Sequence, residues 1–571
     1  MKKGQIFESV IETVDFPDRG ICHEENIKIS IKRTLPGQKV RYSIKKKRNG
    51  KAEGRLLEVV EKSPFETAEN VCRHFGICGG CIYQSVPYEQ QLAWKEDQIR
   101  RLFRDVFEKY GQEFVLDGIR PSPVPAGYRN KMEYTFGDAC KGGELELGMH
   151  QQGSFYDIVT VDDCRITDPD FTTILSAVLE FFRSRQIPYY HRMRHEGYLR
   201  HLLVRKAAFT GEIIVDLVTS SRFGTGEDET VSWETASNGP APDAEGAMLK
   251  QFSDILRNLK LDGKLTGILH TYNDSLADVV QNDRTDVLYG RDYIIEKLLG
   301  LSFKITPFSF FQTNSRGAQV LYSIVRDYIG QIDGASVFDL YSGTGTIAQV
   351  LAPAAGKVTG VEIVEEAVEA ARENAALNSL DNCTFLAGDV LKVIDEIEDK
   401  PDILVLDPPR DGIHPKAMPK LLAYDVESIV YISCKPTSLV RDLEAFFAHG
   451  YKVEKMCCVD MFPGTGKVET VCLLSKLSES KNHISVKVDM DEMDLTAAES
   501  KATYHEIQEW VQEKYGFHVT HLNIAQVKRK HGIIERENYN KPKSADSKQP
   551  GCPEEKTKAI EAALKHFQMI E

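Results

Sequence analysis

The chain has 571 residues, 42% hydrophobic and 27% charged, with a net charge of −14. That length exceeds what one hydrophobic core fills, so three or four domains are expected, and the composition excludes a fibrous, collagen-like or wholly disordered protein. No apolar run is long enough to span a bilayer. The start, Met1-Lys2-Lys3-Gly4-Gln5-Ile6-Phe7-Glu8, is charged where a secretion signal needs an apolar stretch, so a cytoplasmic protein with no membrane partner is expected.

Residues 1–62 read as a small β-barrel of the oligonucleotide-binding kind. Period-two alternation runs through Asn26-Ile27-Lys28-Ile29-Ser30-Ile31 and Lys39-Val40-Arg41-Tyr42-Ser43-Ile44, with turns at Pro36-Gly37 and Asn49-Gly50. This segment reverses the overall charge: between Lys28 and Arg55 stand eleven Lys or Arg and a single acid, Glu53. A solvated lysine loop would look similar. Phosphate binding responds to local charge, however, and so lopsided a patch in an acidic chain favours RNA or DNA contact.

Residues 63–118 hold Cys72-Arg-His-Phe-Gly-Ile-Cys78-Gly-Gly-Cys81 and a helix from Tyr88 to Phe107. Twelve cysteines in a chain this long do not make a disulfide scaffold; the spacing of these three matters more. Residues 119–300 mix strands such as Glu212–Val218 with short helices in an α+β domain. Within it, 221–246 is polar and acid-rich and reads as a disordered insertion.

Residues 301–477 change to buried strands alternating with amphipathic helices. Strands are expected at Ser336–Leu340, Lys357–Glu362, Cys383–Ala387, Ile403–Asp407 and Ile429–Ser433, with a helix at Glu365–Asn378. That alternation implies a parallel, doubly wound Rossmann-like sheet with ligands at the carboxyl ends of its strands. Residues 490–571 read as an extension with helices at Ala502–Gly516 and Ile524–Lys530 and a basic tail. Its Lys528-Arg529-Lys530-His531 run reads best as solvated charge.

Asp339-Leu340-Tyr341-Ser342-Gly343-Thr344-Gly345 is a strand leading into a Gly-x-Gly turn, where Gly343 lets backbone approach a ligand. Glu362 ends the next strand, placed to accept hydrogen bonds from a ribose. The third glycine that favours a pyrophosphate is missing, which points to S-adenosylmethionine. Asp389, after the third strand, suits the adenine edge, and as readily caps a helix. Asp407-Pro408-Pro409-Arg410 ends the fourth strand, its prolines fixing the Asp at the cofactor mouth.

Cys434 stands where the fifth strand leaves the sheet, in Ser433-Cys434-Lys435-Pro436, with Lys435 positioned to favour its thiolate. A buried small hydrophobe is the commoner use of cysteine. Carbon 5 of uracil, however, is a poor nucleophile until a thiolate adds to carbon 6, and a base must afterwards remove the carbon-5 proton. Glu469, at the start of the next strand, is the candidate base.

Taken with Tyr128-Arg129-Asn130-Lys131, Phe310-Phe311-Gln312-Thr313-Asn314 and Asp460-Met461-Phe462-Pro463, these motifs resemble the RNA (uracil-5-)-methyltransferases, over roughly residues 1–477. The resemblance is to the ribosomal-RNA branch, with an N-terminal TRAM barrel and an iron–sulfur cluster. A monomer is expected, and the resemblance implies a class I methyltransferase domain acting on 23S ribosomal RNA. It places Gln312, Tyr341, Glu362 and Asp407 around the cofactor, Cys434 as nucleophile and Glu469 as proton acceptor. It also implies that Cys72, Cys78, Cys81 and the distant Cys164 hold a metal centre. By spacing alone, four thiolates suit zinc or iron–sulfur; the resemblance alone selects a [4Fe-4S] cluster, in a structural role. Three rival readings stand beside this one: a transfer-RNA enzyme of the same chemistry, an exocyclic-amine methyltransferase gripping its substrate through Asp407-Pro408-Pro409, and a non-catalytic RNA-binding assembly factor.

Overall fold

The computed structural model describes residues 1–223, 244–276, 282–330, 332–396, 400–476, 504–531 and 553–567. Contacts divide the chain into two units, Met1–Ser478 and Glu479–Glu571. The insertion expected at 221–246 falls mostly outside the described residues. At its far end, Ala244 to Gly246 already belong to the helix Ala244–Arg257.

The N-terminal segment forms a six-stranded sheet in the order Ile6–Val10, Lys39–Arg48, Lys51–Glu61, Ile27–Lys32, Arg19–Glu24, Thr13–Asp15. Alternate residues Ile29, Ile31, Val40, Tyr42 and Ile44 turn inward to a core of their own. Asn49 and Gly50 both take positive φ, 50° and 71°, as a tight two-residue hairpin requires. The basic patch is partly neutralised here: Lys39 pairs with Glu61, Arg41 with Glu8 and Glu58, Lys28 with Asp15, and Lys45 with Glu53. Lys46, Lys47 and Arg48 stand exposed at the hairpin end.

The central sheet has seven strands, Ile158–Thr160, Leu145–His150, Lys131–Asp138, Leu199–Lys206, Glu212–Thr219, Lys264–Tyr272 and Arg284–Gly290, covered by the helices Pro169–Arg183 and Ala244–Arg257. A boundary at residue 300 cuts through a hairpin, because Ile294–Leu298 pairs with Leu301–Ile305 across the Leu299-Gly300 turn. Ile294, Leu298, Phe303 and Ile305 all bury themselves in the core of the following sheet.

That last sheet has eight strands: Cys383–Ala387, Ala355–Glu362, Ile332–Leu340, Ile403–Leu406, Ser428–Ser433, Glu469–Lys476, Tyr451–Val459 and Ile119–Arg120. The first five are parallel, as the strand–helix alternation predicted, and Glu469–Lys476 runs antiparallel to Ser428–Ser433. The helix Tyr88–Lys109 belongs to this layer as well: Ile99, Phe103, Val106 and Phe107, on one face by their spacing, enter the core with Leu443 and Phe446. Each such buried side chain contributes about 1.5–3 kcal/mol. The segment carrying the cysteines is therefore anchored to the sheet whose strand ends form the site.

The second unit contains the helices Tyr504–Tyr515, His521–Lys530 and Glu554–His566, which share a small core of Ile507, Val511, Ile524, Val527, Ile560 and Leu564. The third helix lies within the stretch read only as a basic tail. Lys530 and His531 of the basic run pair with Glu561.

Candidate active site

Strand register brings the sequence-selected residues together. Leu340 pairs with Val361 and with Leu406, and Leu406 pairs with Tyr431. Tyr341, Glu362, Asp407 and Cys434 consequently end neighbouring strands on one edge of the sheet. Ser433 lies opposite Thr470 in the antiparallel pair. Cys434 follows that pair on one strand and Glu469 precedes it on the other, and both residues line the same cavity, with the Glu469 carboxylate close enough to act on the thiol. Gln312, Tyr341, Gly343, Glu362, Asp389, Asp407, Cys434 and Glu469 all line a single cavity of about 1880 Å³.

At one end of this cavity the backbone is shaped for a ligand. Tyr341 is held at φ 68°, a strained value for a residue with a side chain, and Gly343 and Gly345 follow at 53° and 71°. The N–H groups of Tyr341 and Ser342 both donate to the Val361 carbonyl at 3.0 Å. A Cβ at Gly345 would meet the Phe385 ring at 2.5 Å, so glycine is required there. Glu362 accepts from Gly343 N and Val364 N at 3.0 Å each, bracing the turn while its remaining lone pairs face the cavity. Asp389 Oδ1 accepts from Leu391 N at 3.0 Å, the helix-capping contact, and the residue lines the cavity. The segment bearing Gln312 is fixed from behind. Asn130 Nδ2 donates to the Gln312 carbonyl at 3.1 Å, and Asn314 Nδ2 donates to the Met461 carbonyl at 2.9 Å.

The electrostatics at the other end are set by desolvation. Burial, then the nearby Glu469 and Asp407 carboxylates, push the Cys434 thiol up to about 11, opposed by Arg410. Glu469, only 5% exposed, is raised to about 8 by burial and then by Asp407, opposed by Lys467 and Arg410. Burial raises Asp407 to about 7. Lys435 does not serve the thiolate as expected. Its ammonium reaches Asp411 at 3.4 Å in solvent, and the cations near Cys434 are Arg410 and Lys467. The sequence reading assigned no role to Arg129, Arg410 or Lys467, although each lies inside a motif it quoted; the signal available was three cations flanking the nucleophile and base.

The loop from Asp460 to Glu469 is tied down along its length. Lys95 Nζ meets Asp460 Oδ1 at 2.7 Å with both side chains fully buried. Tyr128 Oη donates to the Pro463 carbonyl at 2.9 Å, and the Ile82 and Tyr83 N–H groups both donate to the Gly464 carbonyl.

Cys72, Cys78, Cys81 and Cys164 gather at the adjoining loop. Burial raises the Cys72, Cys78 and Cys81 thiols, and Cys164 lies close enough to each of the three to add to the shift. His74 N donates to Cys72 Sγ at 3.4 Å, Gly80 N to Cys78 Sγ at 3.4 Å, and Gln84 Nε2 to Cys81 Sγ at 3.2 Å. Among the described residues, no three His, Cys, Asp or Glu side chains converge closely enough to hold a single metal ion.

A parallel sheet with a strained glycine turn after its first strand and carboxylates at the successive strand ends defines a class I S-adenosylmethionine-dependent methyltransferase. Residues 264–477 match the family described as tRNA (Uracil-5-)-methyltransferase. An uncharacterized RNA methyltransferase of Clostridium tetani is 50% identical over 471 residues, covering 82% of this chain and 98% of that protein. One of Caldanaerobacter subterraneus is 46% identical over 477 residues, covering 83% and 100%. The crystal structure of the Pyrococcus abyssi tRNA (uracil-54, C5)-methyltransferase in complex with S-adenosyl-L-homocysteine superposes with a TM-score of 0.61 at 26% identity, covering 82% of this chain and 100% of that one. The chain belongs to the RNA (uracil-5-)-methyltransferase family and is an S-adenosylmethionine-dependent enzyme acting on RNA.

Proposed function

We propose that the enzyme methylates carbon 5 of uridine in 23S ribosomal RNA through a covalent bond from Cys434 to carbon 6. The observation that carries the mechanism is that Cys434 and Glu469, flanking the pair Ser433 and Thr470, line one cavity with the carboxylate acting on the thiol. S-adenosylmethionine supplies the methyl group as an electrophilic sulfonium. Cys434 adds as thiolate to carbon 6, and the pyrimidine's carbon 5 becomes electron-rich and takes the methyl. Glu469 then accepts the carbon-5 proton, the ring double bond re-forms, and the thiolate is expelled unchanged. Arg410, the cation beside the thiol, opposes the burial that keeps Cys434 protonated. The target uridine has to leave its stack, since both reacting carbons must be reached from outside the ring plane.

The test is Cys434→Ala with RNA and labelled cofactor: methylation at carbon 5 is lost while cofactor binding persists. Full residual methylation refutes the covalent route and favours an amine-directed reaction. Retained cofactor binding also separates an enzyme from an assembly factor. The choice of ribosomal RNA rests on the motif resemblance. The likeness to the Pyrococcus abyssi enzyme favours a second reading, a transfer-RNA target. Mass-spectrometric mapping of 5-methyluridine in both RNA classes, from cells with and without the gene, decides between them.

We also propose that the four clustered cysteines hold a [4Fe-4S] cluster in a structural role. The choice of cluster over zinc rests on the motif resemblance, and the N–H groups donating to three of the sulfurs are compatible with bound thiolates. Iron and sulfide analysis of anaerobically purified protein tests it; stoichiometric zinc with no iron refutes it.

A further inference from the structure

The cavity is not made by the parallel sheet alone. Phe16 and Pro17, the turn between the strands Thr13–Asp15 and Arg19–Glu24 of the N-terminal sheet, line it together with Cys434, Lys467 and Glu469. The turn is seated at the nucleophile end rather than the donor end. A Cβ on Gly466 would come within 2.1 Å of the Pro17 carbonyl oxygen, so the loop leading to Glu469 packs backbone to backbone against it. Its position is fixed from both sides. Arg101, on the helix Tyr88–Lys109, donates to Asp15 Oδ1 at 3.0 Å and to the Val14 carbonyl at 2.6 Å, and Lys28 reaches Asp15 Oδ2 at 2.7 Å. Phe16 packs partly against the core of the parallel sheet, and its residue also borders the cavity.

We propose that Phe16 is a positioning residue for the proposed reaction: its ring forms the wall against which the displaced uracil stacks, so that RNA held by the N-terminal sheet delivers its target base to Cys434. The chemistry fits. The glycine turn, Glu362 and Asp389 occupy the far end of the cavity, so a pyrimidine reaching Cys434 enters beside Phe16. An aromatic ring offers a base a π-face without reading its hydrogen-bonding edge. Recognition of the edge is then left to polar groups elsewhere in the cavity. The proposal rests on the reading of the enzyme as a uridine-directed methyltransferase.

The experiment uses the full-length protein with an RNA hairpin carrying uridine or 5-fluorouridine at the target position. Phe16→Ala is expected to raise KM for RNA roughly ten- to a hundredfold, the loss of one stacking contact, with cofactor Kd unchanged. Adduct formation on the 5-fluorouridine RNA slows in parallel. Phe16→Trp is expected to restore KM to within about threefold, and its added indole emission to be quenched when RNA binds, through base stacking. A Phe16→Ala enzyme with wild-type KM and adduct rate overturns the proposal. So does a defect that Phe16→Trp fails to rescue and that follows a lowered melting temperature, which marks Phe16 as packing only. If the unaltered enzyme neither methylates the RNA nor forms the adduct, the uridine reading itself has failed, and that outcome is distinguishable from failure at Phe16 alone.

Discussion

Replacing Glu469 by Gln keeps the side chain's size and removes its ability to accept a proton. Because the carboxyl is raised to about 8 by burial and by Asp407, only about a tenth of it is ionised at pH 7. A raised pKa favours the protonated form, and the reaction needs the ionised one, so elimination is weakest at low pH. It is expected to gain about tenfold between pH 7 and pH 9 and then level off. Cys434, raised to about 11, behaves differently. Its thiolate fraction, about one in ten thousand at pH 7, grows tenfold per pH unit throughout that range. In Glu469→Gln, turnover is expected to fall by roughly 10²–10⁴, while a Cys434–RNA adduct builds up on a denaturing gel. The rate of adduct formation should climb with pH without levelling off near 8. If the variant forms no adduct, or if its adduct rate levels off near pH 8 as the elimination step is expected to, the division of labour between these two residues is wrong.

Asp339 is fully buried, and burial followed by Asp407 raises it to about 8 from an ordinary 3.8. The folded chain therefore holds a proton that the unfolded chain releases, and stability declines as pH rises between those two values. Asp339→Asn should melt like wild type near pH 4 and above it at pH 8; equal melting temperatures at both would contradict the assignment. Lys95→Met strands the buried Asp460 carboxylate and should cost about 3–5 kcal/mol in urea unfolding, largely recovered by Lys95→Met with Asp460→Leu. A loss below about 1 kcal/mol for the single variant would show the pair to be hydrated. Glu362→Gln has one carbonyl oxygen where the wild type has two acceptors for Gly343 N and Val364 N. Calorimetry should find S-adenosylmethionine bound roughly ten- to a hundredfold more weakly, and unchanged binding would remove Glu362 from the site.

Much of the site was legible because a parallel sheet collects its ligands at strand ends. Once Leu340, Glu362, Asp407 and Ser433 are recognised as the last residues of buried runs, their neighbours must meet on one edge. The same local logic read Asn49-Gly50 as a hairpin turn. It placed the change of pattern at 301, inside the hairpin Ile294–Leu298 and Leu301–Ile305, because antiparallel pairing across a two-residue turn does not show in strand–helix alternation. The helix Glu554–His566 was hidden because its apolar face is narrow, Ala559, Ile560, Ala563 and Leu564 among charges, and is buried only by the two helices before it.

By itself the sequence determined the periodicities, the glycine turn and the residue types at each strand's end, because those depend on neighbours a few positions away. Tertiary structure alone decided which strand lies beside which. Antiparallel pairing of Ser433 with Thr470 brings Glu469 near Cys434, the two-residue strand Ile119–Arg120 joins an edge more than three hundred residues later in the chain, and Arg410 rather than the adjacent Lys435 acts on the thiol. Charge and hydrogen bonding act through space, and a side chain next in sequence to a strand-end cysteine points wherever the backbone turns it.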